Sequence, residues 1–388
     1  MQVETLLFSL LASEVCGSPV SEDVKAAISP ELLKEVYELA RKHDLAHLAG
    51  QALSKLGALG EDETSRLLKK YAMYAVQRYI TMHYEYQRVC RVLEDAKIPF
   101  IPLKGSVIRD WYPEPWMRTS CDIDILIHDE DVETAIDQLL KALRYRFVKK
   151  HFYEYALLSP NGVNLELHCN TIEKVDSEAR ESVLKTVWET SAPETGWTYK
   201  RELPDEMFYF YHILHMAKHF EGGGCGIRPF MDLWILNHRM PDNREKRNAL
   251  IARGELTAFA AAVETLTEVW FSGKDWDAFS RRVSDFVLTG GVYGKGETMI
   301  AAKRAQKKTG TTQAYLLHRL FPPFEDIQKQ YPVLKKHKWL LPFCVVARWF
   351  RPFFNGMFGR AIKEFKANAA VSEDEIADTG ELMNLLGL

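Results

Sequence analysis

Two short strings constrain this chain more than anything else in it: Lys104-Gly105-Ser106 and, after an interval at 107–121, Asp122-Ile123-Asp124. The first reads as a strand running into a Gly-Ser turn and then a helix. The second reads as a strand that carries two carboxylates. Side chains alternate faces along a strand, so Asp122 and Asp124 point one way while Ile123 and Ile125 point the other. Two adjacent carboxylates repel each other, a cost that exposure relieves and a divalent cation turns to use. A Gly-Ser turn at a helix start offers N–H groups and a hydroxyl to phosphate. Together the strings point to metal-dependent chemistry on a nucleotide.

The flanking sequence supplies the frame. Residues 3–95 read as helical. The run ELLKEVYELARKHDLAHLAGQALSKLG (31–57) keeps helical spacing up to Gly57, which predicts one helix. A longer pattern at 62–95 holds Tyr71, Met73, Val76, Tyr79, Ile80, Tyr84, Val89, Val92 and Leu93, read as a buried face. Pro99 and Pro102 place the next strand, 98–104, at a sheet edge or give it an irregular start. A short helix at 106–111, a strand at 121–127 and a helix at 130–143 follow. Strands at 146–158 and 163–169 then flank Pro160-Asn161-Gly162, a hairpin signal. The order β-α-β-α-β-β describes a small mixed core. In Val163-Asn164-Leu165-Glu166-Leu167-His168, alternation puts Asn164, Glu166 and His168 on one face. If this strand lies beside the Asp122–Asp124 strand, Glu166 completes a three-carboxylate cluster.

Composition narrows the class. A net charge of -3 gives no electrostatic basis for holding long nucleic acid. The cysteines at 16, 90, 121, 169, 225 and 344 show no C-x-x-C spacing, so neither a zinc ribbon nor a disulfide framework is expected, which fits a reducing cytosol. The apolar start carries Glu4 and no basic segment, unlike a signal peptide. No uncharged apolar run is long enough to span a bilayer.

Beyond about 204 the chain reads as helical again. His212, His215 and His219 share a helix face. His215-x3-His219 has zinc-helix spacing but lacks the glutamate that zinc hydrolases use, so an interhelical histidine cluster is the reading preferred. His219 facing a cleft with Arg228 and Asp232 is the alternative. Arg146-x4-His151 matches a ribonuclease spacing but falls in an expected strand. The segment 339–354, with Trp339, Phe343, Trp349, Phe353 and Phe354 beside Arg348 and Arg351, is read as a buried packing helix, with a membrane-surface or dimer-contact helix as alternatives. The acidic last fifteen residues are expected to be a mobile tail.

The strings LKGSVIRDWYPEPWMRTSCDIDILI and VNLELH resemble the DNA polymerase β-like nucleotidyltransferase superfamily, and within it a bacterial branch described only as uncharacterised nucleotidyltransferases. ELARKHDLAHLAGQAL, HILHMAKHF and YPVLKKHKWLLPFCVVARWF extend the resemblance over most of residues 30–350. The interval from Gly-Ser to the aspartates is longer than is usual in the superfamily, with the extra residues at Pro113–Trp116. The resemblance implies an α+β fold: a nucleotidyltransferase core at 96–175 between helical regions at 1–95 and 176–388. It also implies a Mg²⁺ (or Mn²⁺) and NTP requirement and a bacterial cytosolic setting. In nucleotidyl transfer, paired cations about 3.5–4 Å apart stabilise the attacking and departing oxygens. Asp122, Asp124 and Glu166 would hold them, with Glu166 helping to deprotonate the acceptor. Gly105 and Ser106 would meet the phosphates, Lys104 or Arg118 would neutralise them, and His168 would contact a metal-bound phosphate. The expected reaction moves an NMP, AMP by preference, from an NTP to a hydroxyl of a small molecule or protein. A silent, antitoxin-like nucleotide-binding protein and an envelope-sugar enzyme are the competing readings. A homodimer is compatible with all three.

Overall fold

The computed structural model describes residues 2–151, 153–169, 177–292, 294, 296–306, 320–354 and 368–388. Met1–Met216 and Ile227–Ser284 form one compact unit, and Ala217–Gly226 and Asp285–Leu388 a second. The architecture is mixed α+β with a small mixed sheet, as expected.

The first unit opens with helices α1 (Val3–Val15), α2 (Glu22–Ala26), α3 (Pro30–Lys42), α4 (Ala46–Lys55) and α5 (Glu63–Asp95). Ser29 and Asp62 cap α3 and α5 by accepting from the amides of Leu32 and Ser65. The single helix expected over 31–57 is two. Between them Asp44 takes a φ of 57°, a left-handed conformation that Asp tolerates better than most residues. The buried face expected along 62–95 is also corrected. Val89 and Leu93 are buried, but Met73 is 73% and Ile80 60% exposed. The first half of α5 packs on α4, with Leu68 against Gly50, and leaves those apolar residues on its outer side.

A five-stranded sheet follows: β1 (Phe100–Pro102), β2 (Asp122–Ile127), β3 (Arg146–His151), β4 (Glu154–Leu158) and β5 (Asn164–His168), in the order β1-β2-β5-β4-β3. The proline-bounded β1 lies at an edge, as Pro99 and Pro102 require. Short helix α6 (Gly105–Ile108) follows β1, and α7 (Val132–Leu143) follows β2. The strand expected over 146–158 is really the hairpin β3–β4. The reversal near Tyr153 lacks the Gly, Pro or Asn that would announce it. The turn at Pro160-Asn161-Gly162 does join β4 to β5. Gly162 takes a φ of 79°, the Ser159 hydroxyl accepts from the Val163 amide, and Asn161 donates to the buried Glu85 carboxylate on α5.

Ile123, Ile125 and Ile127 of β2 and Leu165 and Leu167 of β5 pack beneath α5 and α7 in one buried cluster. Each such side chain contributes about 1.5–3 kcal/mol of burial. A one-residue slip in register would bring the charged residues of these strands into that core, so the packing fixes which face they take. The remaining elements of this unit are α8 (Glu178–Leu184), α9 (Val187–Thr190), a two-stranded ribbon of β6 (Ala192–Pro193) and β7 (Arg201–Glu202), helices α11 (Arg228–Arg239), α12 (Arg244–Arg253) and α13 (Thr257–Phe271), and the parts of α10 (Asp205–Glu221) up to Met216 and of α14 (Ala278–Gly290) up to Ser284. Phe8 of α1 stacks on Trp270 of α13 at 4.4 Å, which ties the first helix to the later ones.

The second unit contains α15 (Gly296–Gln306), α16 (Phe324–Gln330), α17 (Leu341–Phe354) and α18 (Glu373–Leu386). Gly223 has a φ of 88°, and a Cβ there would lie 2.3 Å from the Met299 Cα, so glycine is required. The tail expected to be mobile is instead α18. It opens with a capping box from Ser372 and Glu375, and buries Leu382 and Leu386. The buried packing helix expected over 339–354 is corrected as well: Trp339 is 69% and Phe343 67% exposed. The side chains of Arg351, Phe353 and Phe354 lie outside the described residues. Among the described residues, no helix is long and apolar enough to cross a membrane.

Candidate functional site

The sheet register assembles the acidic cluster. β2 and β5 run parallel with Asp124 opposite Glu166, Asp122 opposite Asn164 and Leu126 opposite His168. Parallel neighbours project to the same side, so Asp122, Asp124, Glu166 and His168 share the face away from the α5–α7 core. One oxygen or nitrogen from each of Asp124, Glu166 and His168 lies within 4.8 Å of the others. His168 Nε2 is 2.8 Å from Asp124 Oδ1 and 3.8 Å from Glu166 Oε2. Lys104 Nζ donates to the same Asp124 oxygen at 2.7 Å.

The carboxylates differ in electrostatic setting. Burial alone would raise the Asp124 pKa, but Lys104 and the His168 bond outweigh it and hold the group well below the usual range. Burial pushes Glu166 up to about 7, helped by the charges of Asp124 and Asp122. Asp122 is raised too, by burial and then by Asp124. Burial would lower the Lys104 pKa, but Asp124 more than compensates, and the ammonium is raised above its ordinary value. The cluster therefore pairs one firmly ionised carboxylate with one that titrates near neutrality. Two hard oxygen donors and an imidazole, all able to deprotonate, suit a divalent cation.

The Gly-Ser turn sits beside this cluster. Lys104 takes φ 49° and ψ -124°, a conformation costly for a residue with a side chain. The amides of Ser106, Val107 and Ile108 bond back to Leu103 and Lys104 carbonyls, so the expected row of free N–H groups is largely committed. The Ser106 hydroxyl is not. It is buried and lacks a hydrogen-bond partner among the described residues. A buried orphan hydroxyl costs about 1–3 kcal/mol, and a phosphate oxygen would relieve it. A Cβ at Gly105 would come within 3.3 Å of both Arg118 Nη1 and Ser120 Cβ, a tight fit.

Arginines brace this turn from behind. Arg109 donates to the Gly105 carbonyl and to Ser120 Oγ. Arg118 meets Asp232 of α11 in a fork, Nε to Oδ1 and Nη2 to Oδ2 each at 2.8 Å, and its Nη1 donates to the Thr119 carbonyl. Tyr112 donates to the same Asp232 at 2.6 Å. Arg228 and Arg78 both donate to Asp44 in the break between α3 and α4, and Arg78 also donates to the Ser120 carbonyl. His47 Nε2 lies 2.9 Å from the Met117 carbonyl. Pro113–Trp116 thus belong to a loop clamped from α4, α5 and α11.

Of the residues singled out in the sequence, Lys104, Asp124, Glu166 and His168 come together, with Asp122 on the same face and Gly105-Ser106 adjoining. Arg118, expected at the phosphates, commits three of its five N–H groups to Asp232 and Thr119. Arg228 pairs with Asp44, while Asp232 holds Arg118. His219 belongs to the second unit. His212 of the expected histidine cluster instead meets the Pro229 carbonyl at 2.9 Å. Asp44, Arg78, Arg109 and Tyr112 were not foreseen. Only the left-handed break at Asp44 leaves a trace in the sequence, as an aspartate interrupting an apolar period.

The fold thus sets two acidic strands in parallel register beside a Gly-Ser turn. The chain belongs to the uncharacterised nucleotidyltransferase family, whose model matches residues 29–272, and it is accordingly a transferase. The match takes in every element of the site, from α3 to α13. No curated protein matches the chain, and no solved structure does.

Proposed function

We propose that the protein transfers a nucleoside monophosphate, AMP by preference, from a metal-bound NTP to a hydroxyl on a small molecule or protein side chain. The core at 96–175 then acts as a polymerase β-like catalytic unit, with helical regions 1–95 and 176–388 before and after it in the chain, in a bacterial cytosol. The observation that carries this reading is the in-register pairing of Asp124 with Glu166 on the face opposite the core, beside the orphan Ser106 hydroxyl.

Asp124 and Glu166 would hold Mg²⁺ or Mn²⁺, with Asp122 as a further ligand on the same face. When bound, the cation supplies positive charge to the triphosphate and to the oxygens that attack and leave. Glu166, across the strand pair from Asp124, is the carboxylate that accepts the acceptor hydroxyl's proton in this reading. Ser106 donates its hydroxyl to a phosphate oxygen, and Lys104 lies one residue before the turn to neutralise phosphate charge. His168 bonds Asp124 and fixes its orientation. Arg118, held by its fork with Asp232, braces the turn in this reading and keeps two N–H groups for phosphate charge.

Purified protein with Mg²⁺ and labelled NTPs should release pyrophosphate in a metal-dependent way when offered acceptor pools fractionated from a bacterial extract. The Asp122→Asn/Asp124→Asn double variant should lose that activity by several orders of magnitude. Turnover equal to wild type in the double variant would reject the site.

A further inference from the structure

The Lys104 ammonium occupies a position where a metal ion would have to compete with it. It lies 2.7 Å from Asp124 Oδ1, the oxygen that His168 Nε2 also meets at 2.8 Å. Asp124 is 3% exposed, so its charge has little water to rely on, and its pairing with Lys104 is correspondingly strong. The lysine is held there by its backbone as well as by attraction. Its carbonyl accepts from Val107 and Ile108, the Leu103 amide donates to the Asp124 carbonyl, and Lys104 itself keeps a left-handed φ. A chain does not retain that conformation at a non-glycine residue unless its surroundings enforce it.

Lys104 also immediately precedes Gly105-Ser106, so the residue whose ammonium holds Asp124 is joined directly to the turn whose Ser106 hydroxyl lacks a partner among the described residues. A divalent cation arriving alone must displace the ammonium from a buried carboxylate and leave it without an anion. A cation arriving with a triphosphate brings the replacement anion along. We infer that Lys104 is a resident counter-ion that couples metal binding to nucleotide binding: it excludes bare divalent cations from Asp124 and moves to the triphosphate when metal and nucleotide enter together. This rests on the proposed nucleotidyltransferase site and assigns Lys104 a positioning and gating role within it. Coupling between two ligands is reciprocal, so removing the lysine should raise affinity for the cation alone while weakening the help each ligand gives the other.

The test is a Mn²⁺ titration of the full chain, following the free-ion electron paramagnetic resonance signal, with and without α,β-methylene-ATP. Wild type should bind Mn²⁺ alone weakly, and at least about tenfold more tightly with the nucleotide analogue, within the usual span of coupling between ligands. Lys104→Gln should bind Mn²⁺ alone about tenfold more tightly than wild type and gain less from the analogue, and Lys104→Arg should restore the wild-type pattern. Lys104→Gly relieves the left-handed backbone while removing the ammonium, so it serves if Lys104→Gln does not fold. Equal affinity of wild type and both lysine-removing variants for Mn²⁺ alone overturns the inference. An Asp124→Asn variant separates the two levels. If it loses Mn²⁺–analogue binding while the lysine variants behave as wild type, the proposed site stands and the gating role falls. If it binds the pair as wild type does, the proposed site falls and takes the gating role with it.

Discussion

Glu166 and Asp124 sit opposite each other on neighbouring strands, yet their environments push their protons in opposite directions. Both positions were legible from alternation alone, because a strand's period of two leaves no freedom in which residues share a face. The difference between them was not legible. It depends on Lys104, which reaches Asp124 across the turn, and on burial, neither of which a local pattern encodes. That difference predicts a pH effect with a definite sign. Glu166 has its pKa raised from 4.5 to about 7. Across that interval the folded protein keeps a proton the unfolded chain has released, so this group's contribution to stability falls as pH rises. Asp124 has the opposite sign, but its depressed pKa confines its effect to acid conditions. Glu166→Gln removes the first contribution. In EDTA, its denaturant midpoint relative to wild type should improve steadily from about pH 4.5 to about pH 7 and level off above. A flat difference, or one that worsens with pH, would show that Glu166 titrates as an ordinary surface carboxylate.

Among the elements, the sheet was easier to read than its supports. The β2 and β5 strands, the turn at Gly162 and helices α5 and α7 all announce themselves through apolar period or turn chemistry. The β3–β4 reversal and the α3–α4 break announce themselves far less, since one lacks turn residues and the other is marked only by Asp44 within an apolar period. The loop holding Pro113–Trp116 was read only as extra length between Gly-Ser and the aspartates. Its position is set instead by partners far away in sequence, Arg118 with Asp232 and Arg78 with Ser120. Such pairs are invisible to pattern reading, because an isolated arginine in a loop reads as a solvated charge. Asp232→Ala would leave Arg118 buried without its fork partner and the Tyr112 hydroxyl unbonded. Removing one member of a buried pair costs about 3–5 kcal/mol. Urea unfolding should show a loss of that size, against at most about half of it for Asp232→Asn, which keeps the shape and one acceptor. If Asp232→Ala unfolds at the wild-type midpoint, the fork is not what holds the loop.

At the scale of the whole chain, the family match at 29–272 and the site residues fall within the first unit, apart from the 217–226 stretch that the match also spans. The second unit, with exposed Trp339 and Phe343, gave the sequence reading least purchase. An apolar helix reads the same whether it is covered or bare, and the pattern 339–354 carries no site chemistry to decide between them. This uneven distribution makes ligand linkage informative. A ligand that binds only the folded form adds about 2.7 kcal/mol of stability at a hundredfold excess over its dissociation constant, and it acts where it binds. Mg²⁺ with α,β-methylene-ATP should therefore raise the melting temperature of the full chain by several degrees, and EDTA should abolish the shift. Hydrogen exchange should locate the gain in Phe100–Pro102, Asp122–Ile127 and Asn164–His168, with Glu373–Leu386 unchanged, because the carboxylates and the Gly-Ser turn hang from those three strands. Protection that appears without Mg²⁺, or that spreads evenly over the chain, would mean the nucleotide is held by something other than this acidic face.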